Sequence, residues 1–192
     1  MSETIRAFIA IELDHPVKSA LEKLQLGLNA GRVVRWTKPE QIHLTLKFLD
    51  DIPQENVQPI TAALTSLCAQ FKPFSLSLTQ WGCFPNPYKP RIVWIGLGGA
   101  LDVLHALQAG IDREMKDLCS HVENKPFTPH LTIGRTRQDA RRQDMEKLGT
   151  QISSAPPPPA TSWTVREVRL MRSELLPQGP KHTQLAAAAL SA

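Results

Sequence analysis

The chain has 192 residues, of which 42% are hydrophobic and 21% are charged, and its formal net charge is +4. These proportions are typical of a globular protein with one core, and they exclude a disordered or collagen-like chain. No run of 18 apolar residues is present, and the three cysteines, Cys68, Cys83 and Cys119, form no C-x-x-C pair. We therefore expect a cytoplasmic protein without a signal peptide, a disulfide framework or a thiolate metal site.

The first half of the chain combines strands and helices. Residues 4–12 are apolar and rich in β-branched side chains, which predicts a buried strand. Asp14 is expected to cap a helix that has Pro16 in its first turn. The other elements predicted here are a short strand at 33–36, a strand at 42–49, a break at 50–53 and a helix at about 54–70.

The second half repeats this series and adds two proline-rich segments. Residues 82–89 are expected to form an aromatic-bearing loop, because its prolines remove backbone donors and restrict the residues before them. Residues 153–160 are expected to be a surface loop and residues 187–192 a frayed tail, all within one domain spanning 1–192. The other predicted elements are strands at 74–79, 91–97, 130–135, 163–172 and about 183–186, and helices at about 100–119 and 138–149.

The phrase His-Leu-Thr-aliphatic occurs twice, at residues 43–46 and 130–133. Alternate side chains of a β-strand share a face, so the histidine and threonine of each copy are expected side by side, with aliphatic residues behind them. The same alternation places Lys47 on the polar face of the first strand and Phe48 on its apolar face. One copy is usually an ordinary solvent-facing pair, but the chance of two such copies is on the order of 10⁻⁴.

Two imidazoles and two hydroxyls of this kind suit phosphodiester cleavage. Near neutral pH one histidine can accept a proton while the other donates one, which makes His43 and His130 the candidate catalytic residues. Thr45 and Thr132 would donate hydrogen bonds to the non-bridging phosphate oxygens. Neither motif contains an Asp, Glu or Cys, so the pair falls short of the three or four ligands that zinc takes, and we expect no metal and no cofactor.

The two motifs and the segments around them resemble the two-histidine (2H) phosphoesterases, and among these the RNA 2′,3′-cyclic phosphodiesterases formerly called 2′-5′ RNA ligases. The segments that carry the resemblance, in the family's order, are residues 6–11, 36, 39–42, 84–87, 90–94, 126–129 and 173–175. The mixture of elements itself predicts an α+β fold with mostly antiparallel sheets. The resemblance further implies two pseudo-symmetric lobes with helices outside and one motif on each wall of a central groove.

The resemblance also implies a substrate and a set of roles. Water would open an RNA 2′,3′-cyclic phosphate to leave a 2′-phosphate, with His43 as the proton donor and His130 as the proton acceptor. Arg135 matches a basic position that follows the second motif in many relatives, and the resemblance implies that it binds phosphate. Strict alternation puts it on the face opposite His130, so a bulge or the end of the strand is required. The aromatic side chains that are candidates for stacking on a base are those of Phe48, Phe84 and Tyr88.

Other interpretations remain open at this point. RNA 2′-5′ end joining by the reverse reaction, hydrolysis of a small cyclic nucleotide phosphate, and a non-catalytic RNA- or nucleotide-binding module would all use the same groove. Two complete motifs favour an enzyme, and the lack of a P-loop argues against an ATP-driven ligase. The expected partners are RNA ends or cyclic nucleotide phosphates, with no membrane and no obligate protein partner. The tail departs from the family, since His182 stands where relatives commonly have an aromatic residue, usually tyrosine.

Overall fold

The computed structural model describes residues 3–121, 125–177 and 179–191. The strands in these residues are β1 (Thr4–Glu12), β2 (Val34–Trp36), β3 (His43–Pro53), β4 (Phe74–Phe84), β5 (Ile92–Gly99), β6 (His130–Thr136), β7 (Ser162–Val165), β8 (Glu167–Leu176) and β9 (Gly179–Ala189). The α-helices are α1 (His15–Gly27), α2 (Val57–Cys68), α3 (Leu101–Glu114) and α4 (Arg142–Ser154). Among the described helices, none is long and apolar enough to cross a membrane.

The strands form two antiparallel sheets, one with the order β3-β1-β8-β9 and the other with the order β2-β6-β5-β4-β7. Helices α2 and α3 pack on the first sheet and α4 packs on the second. Each motif strand turns its aliphatic side chains into one shared core, in which Leu44 and Leu131 are completely buried. The opposite face of each sheet therefore carries the polar side chains of its motif, as expected of an α+β fold of two lobes.

The four-stranded sheet is strongly curled. Its two edge strands, β3 and β9, approach each other, and the ring centroids of His43 on β3 and His182 on β9 are only 5.3 Å apart. A small cluster of Phe8, Ala10 and Met171 fills the inside of the curl, separate from the main core. The concave face of this sheet is thus lined by side chains of all four strands.

The first helix begins where the sequence predicts. The Asp14 side chain accepts a hydrogen bond from the backbone N–H of Val17 at 3.1 Å, and Pro16 lies in the first turn. Strand β1, which precedes this helix, is central in its sheet, and its residues from Ala7 to Ile11 are at most 3% exposed. The predicted buried strand and the predicted cap are both confirmed.

The first motif strand does not end at residue 49, and the expected break at 50–53 is part of the strand, which continues to Pro53. Two register shifts against β1 each leave one extra residue on β3, and the first of them lies just after Thr45. A bulge of this kind reverses the alternation that follows it. Lys47 is consequently 8% exposed and Phe48 is 47% exposed, so the assignment of Phe48 to the apolar face and of Lys47 to the polar face was wrong.

Strand β4 extends into the segment expected to be a loop. Residues 82–84 pair with residues 92–94 of β5. The ladder stops before Pro85, the first residue of the segment without a backbone N–H. The loop is therefore shorter than expected and occupies residues 85–91 between β4 and β5.

The segment 163–172, expected to be one strand, is two strands in different sheets. β7 pairs with β4 in the five-stranded sheet, whereas β8 pairs with β1 in the four-stranded sheet. Residue Arg166 lies between them. A chain that passes from one sheet to another keeps its extended backbone, so the sequence pattern does not show where it changes sheets.

The boundaries of three further elements differ from those expected. Helix α3 ends at Glu114 instead of 119, and helix α4 occupies 142–154 instead of 138–149, so residues 153 and 154 of the expected proline-rich loop are helical. β9 is longer than expected because its pairing with β8 continues to Ala189. Ala188 and Leu190 are 3% and 6% exposed, so this part of the expected frayed tail is packed, while Ala192 lies outside the described residues.

Helix α4 packs against the loop that follows β4 through Gly149. A Cβ atom on Gly149 would overlap the Pro87 carbonyl oxygen. We expect Gly149→Ala to lower the free energy of unfolding by about 2 kcal/mol, because the backbone must move to relieve this overlap. Chemical denaturation measures the change.

Gly27→Ala is the matched control, because a Cβ atom at this last residue of α1 would have no neighbour within 4 Å. This variant should be as stable as the parent or slightly more stable, since alanine favours the helix. Equal stability of the two variants would contradict the packing of α4 on the loop.

Candidate active site

His43 begins β3 and follows a 3₁₀ turn formed by residues 39–41. Its Nδ1 atom lies 2.9 Å from the carbonyl oxygen of Gln41. The ring of Phe8, on the neighbouring strand β1, stacks on the imidazole with a centroid distance of 4.8 Å and an interplanar angle of 28°. The turn and the stacked ring together fix the orientation of this side chain.

His130 begins β6 and is held in the same way. Its Nδ1 atom lies 2.7 Å from the carbonyl oxygen of Thr128. The Phe84 ring meets the imidazole edge-on at 5.2 Å, and the indole of Trp94 on neighbouring strand β5 lies 6.2 Å away. Phe127 packs against His105 of α3 at 5.6 Å, which anchors the segment that supplies the Thr128 carbonyl.

These two hydrogen bonds determine which ring nitrogen is reactive. A carbonyl oxygen can only accept, so Nδ1 of His43 and of His130 must each carry a hydrogen in the neutral as well as the charged ring. Proton exchange is then confined to Nε2, which holds a lone pair in the neutral form and a hydrogen in the charged form. Both motifs therefore present the same atom for acid or base chemistry.

A bulge also lies in β6 and places Arg135 beside the second motif. Trp94 of β5 is opposite Thr132, and Ile92, two residues earlier, is opposite Arg135, with a register shift between the two pairs. Since alternate residues of β5 share a face, Arg135 lies on the same face as Thr132 and His130. Of the two alternatives, a bulge or a strand end, the structure has the bulge, and the Arg135 side chain is exposed.

The two motifs are equivalent even in their bulges. Each runs His-x-Thr and then turns the sixth residue of the motif to the histidine face, which brings Phe48 to one wall and Arg135 to the other. Phe48 lies 6.4 Å from Phe8 between ring centroids. Its exposed ring lies on the same face of β3 as His43, although strict alternation would place it on the opposite face.

The other candidates differ in where they lie. Thr45 and Thr132 are half-buried on the histidine faces of their strands. The Phe84 ring packs against His130, and its centroid lies 5.2 Å from that of Trp94. Tyr88 is 82% exposed in the loop between β4 and β5, and no contact places it beside either imidazole in the described part of the chain.

Burial lowers the pKa of His43 from 6.5 to about 4. Desolvation of the charged ring is the largest cause, and the hydrogen bond to the Gln41 carbonyl opposes it. A charge on His182 lowers the pKa further, whereas the Glu12 carboxylate, opposite His43 in the register, raises it. His43 is therefore neutral near pH 7 in the ligand-free groove, with a lone pair on Nε2.

Two side chains at this site were not among the candidate site residues. Phe8 sits in an unbroken apolar run, which predicts only a buried strand, yet it is the platform for His43. His182 was recognised as a departure from relatives, and its ring lies 4.9 Å from Phe8 and edge-on to His43. Burial also lowers the pKa of His182. Pairing partners in the fold, not local sequence, identify both.

Across the described residues, no group of three or more His, Cys, Asp or Glu side chains is placed to hold a metal ion. The two motif strands β3 and β6 contact each other although they belong to different sheets. The structure thus brings two imidazoles, two hydroxyls, one guanidinium and one exposed aromatic ring onto the walls of neighbouring sheets.

The chain is similar to known proteins over most of its length. The family model of the 2′-5′ RNA ligase superfamily matches residues 15–175. An RNA 2′,3′-cyclic phosphodiesterase of Methanothermobacter thermautotrophicus is 32% identical over 182 residues, which cover 94% of this chain and 96% of the relative. A relative of the same name from Thermus thermophilus is 32% identical over 186 residues, covering 94% and 88%.

Solved structures show the same architecture. A crystal structure of a Thermus thermophilus protein superposes with a TM-score of 0.82 and 30% sequence identity, covering 97% of this chain and 98% of that one. E. coli LigT complexed with 3′-AMP has a TM-score of 0.72 at 24% identity, with 99% and 100% covered. The second match supports the fold alone.

We expect the His43 imidazole to titrate with a midpoint near pH 4, because burial disfavours the charged ring. The neutral ring should keep its hydrogen on Nδ1, because this atom donates to the Gln41 carbonyl oxygen. Because this pKa lies below the value of 6.5 in an unfolded chain, His43 lowers the stability of the folded protein as the pH falls from 6.5 to about 4.

Long-range ¹H–¹⁵N correlation spectra across pH 3.5 to 8 measure both the midpoint and the tautomer. The His43→Gln variant, which lacks the ring, assigns the resonances. A midpoint at or above that of an unburied histidine, or a neutral ring with its hydrogen on Nε2, would contradict this description of the site.

Proposed function

The chain belongs to the 2′-5′ RNA ligase superfamily, and from this premise we propose that it hydrolyses the 2′,3′-cyclic phosphate at the end of an RNA to a 2′-phosphomonoester. The observation that carries the proposal is the pair of equivalent histidine–carbonyl hydrogen bonds, at His43 and His130, which leaves one exchangeable nitrogen on each imidazole. Curated relatives at about a third identity bear the name of this activity, which supports the same choice.

The reaction uses the two Nε2 atoms in opposite directions. His130 Nε2 takes a proton from a water molecule as its oxygen attacks phosphorus in line with the 3′ oxygen. The bond from phosphorus to the 3′ oxygen breaks, and His43 Nε2 gives its proton to that oxygen. His130 ends protonated and His43 neutral, so exchange with solvent restores the starting state. Acid and base assistance each contribute typically ~10²–10⁴ in rate.

The lowered pKa of His43 makes its protonation depend on the substrate. A donor must carry its proton when the reaction begins, but burial keeps His43 neutral near pH 7 in the empty groove. A cyclic phosphate diester is an anion, and a negative charge beside an imidazole raises its pKa. Binding of the substrate is therefore coupled to uptake of a proton by His43.

The remaining side chains have supporting roles. Thr45 and Thr132 donate hydrogen bonds to the two non-bridging oxygens, where negative charge develops during attack. Arg135 supplies a positive charge on the wall of the second motif. Phe48, exposed beside His43, offers a surface on which the terminal base stacks. Tyr88 lies in an exposed loop, and we assign it no part in the reaction.

The proposal treats the chain as one catalytic domain. Both sheets contribute to a single core cluster that contains Leu44 of the first motif strand and Leu131 of the second. Residues on both sheets are needed for one reaction, so neither lobe would act alone. The cytoplasmic location stays a prediction from the sequence.

We expect His43→Ala and His130→Ala each to lower kcat by ~10²–10⁴, because each removes one of the two proton-transfer groups. The double variant should be little worse than either single variant, because the two groups act in one concerted step. The measurement is the rate of opening of a short fluorescent oligonucleotide that ends in a 2′,3′-cyclic phosphate, followed by chromatography.

His15→Ala is the matched control, because this histidine is exposed at the start of α1. It should retain the full rate. Substantial activity in either site variant, with thermal melting showing that both are folded, would remove the two-histidine mechanism.

A further inference from the structure

Lys47 is a charged side chain on the core side of its sheet. It lies opposite Ile9 of β1, which is completely buried, and it is itself buried. Directly opposite residues of an antiparallel pair share a face, so the lysine points toward the helices rather than into the groove. A buried ammonium group loses its hydration and needs an acceptor nearby.

Helix α3 supplies this acceptor through Asp112. Lys47 Nζ donates a hydrogen bond of 2.8 Å to Asp112 Oδ1, and the two groups form an ion pair. Gln108, one turn earlier on the helix, donates from Nε2 to the other carboxylate oxygen at 2.7 Å. Both oxygens of the carboxylate are therefore held, and the ammonium group has a fixed partner.

The same helix contacts the bulge in β3 that follows Thr45. Leu46 has no partner on β1, because the register shift lies between the pairs formed by Thr45 and Lys47. A bulged residue is left out of the ladder of hydrogen bonds. The Leu46 carbonyl oxygen accepts a long hydrogen bond of 3.4 Å from Gln108 Nε2. Helix α3 thus binds both residues that the bulge turns to the core side.

The side taken by Lys47 determines the side taken by its neighbour, Phe48. Strict alternation would place the lysine in the groove and the phenyl ring in the core, which is the arrangement that their polarities favour. In the structure Phe48 instead lies opposite Phe8, on the histidine face, and about half of it is exposed. Exposure of an apolar ring to water costs free energy, and the contacts of Lys47 with α3 offset this cost.

We propose that Asp112 and Gln108 are positioning residues, which hold Lys47 on the helix side of β3 so that Phe48 faces the groove and contacts the base of the substrate. Both residues belong to α3 and act through Lys47 and Leu46, not by touching the substrate. The proposal rests on the proposed function, in which the terminal base stacks on Phe48. Affinity for the base then depends on an ion pair on the other face of the sheet.

The test compares adenosine 2′,3′-cyclic phosphate with methyl riboside 2′,3′-cyclic phosphate, which has no base. Asp112→Asn leaves the ammonium group of Lys47 unpaired, so we expect Lys47 to turn toward solvent and Phe48 to turn inward. KM for the adenosine substrate should rise about tenfold with kcat unchanged, the size of the loss of one base–aromatic contact. KM for the substrate without a base should stay the same.

A second substitution separates positioning from general damage to α3. Methionine is similar in length to lysine and carries no charge, so it needs no partner on the helix side. Lys47→Met combined with Asp112→Asn should therefore recover the parent's KM for the adenosine substrate. Asp102→Asn makes the same change at an exposed position of α3 and is the matched control, which should leave both KM values unchanged.

Gln108→Met is a milder variant that creates no unpaired charge. It removes the donor to the carboxylate and to the Leu46 carbonyl oxygen. KM for the adenosine substrate should rise about threefold, the effect of losing one ordinary hydrogen bond.

The exposure of the Phe48 ring can be measured without turnover. With 4-fluorophenylalanine incorporated at position 48, a soluble gadolinium chelate broadens the ¹⁹F resonance in proportion to the exposure of the ring. The broadening should fall at least twofold in Asp112→Asn and return in the double variant. The Kd of adenosine 2′-phosphate, measured by calorimetry, should follow the same order.

If the unaltered protein opens neither substrate, the proposed function fails, and the ¹⁹F broadening and the Kd decide on the positioning role alone. If folded Asp112→Asn keeps the parent's KM, Kd and broadening, the positioning role is overturned while the hydrolytic function stands. A double variant no better than Asp112→Asn would also overturn it, because general damage would then explain the loss. If Asp112→Asn does not fold, unchanged values in Gln108→Met overturn it.

Discussion

A backbone carbonyl oxygen accepts hydrogen bonds and never donates them, and the site depends on this asymmetry. Gln41 and Thr128 each offer such an oxygen to the histidine two residues later, at 2.9 and 2.7 Å. The bond holds a hydrogen on Nδ1, leaves Nε2 for chemistry, and prevents the ring from turning over. Because the acceptor lies only two residues before the histidine, the geometry is built into the local backbone and is repeated wherever the motif is repeated.

The same framework carries different chemistry on its two walls. His43 is stacked on Phe8, touched by His182 and strongly desolvated, whereas His130 is bordered by Phe84 and Trp94. The sixth position of each motif then differs in kind, being an exposed phenyl ring in one copy and a guanidinium in the other. The two imidazoles are thereby set between an apolar end and a cationic end. A nucleotide is divided in the same way, with a flat base at one end and anionic phosphates at the other.

The main outline of the fold and the centre of the site could be predicted from the sequence because they depend on local patterns. The apolar run of β1, the Asp14 cap and the repeated histidine phrase each identify an element without reference to the rest of the chain. The errors in the strands share one physical origin, since the pairing partner determines them. The bulge in the first motif strand, the change of sheet at Arg166 and the length of β9 depend on hydrogen bonds to distant strands. Likewise, nothing near Arg35 in the sequence shows that it lies directly opposite Arg135, which is 100 positions later.

The most direct test of the account is the product formed from a short RNA that ends in a 2′,3′-cyclic phosphate, observed by ³¹P NMR with EDTA present. The account predicts a 2′-phosphomonoester as the sole product, since His43 protonates only the 3′ oxygen and no metal is required. A 3′-phosphomonoester would contradict the assigned geometry, a reaction abolished by EDTA would contradict a mechanism carried by two histidines, and binding without turnover would identify a non-catalytic RNA-binding protein.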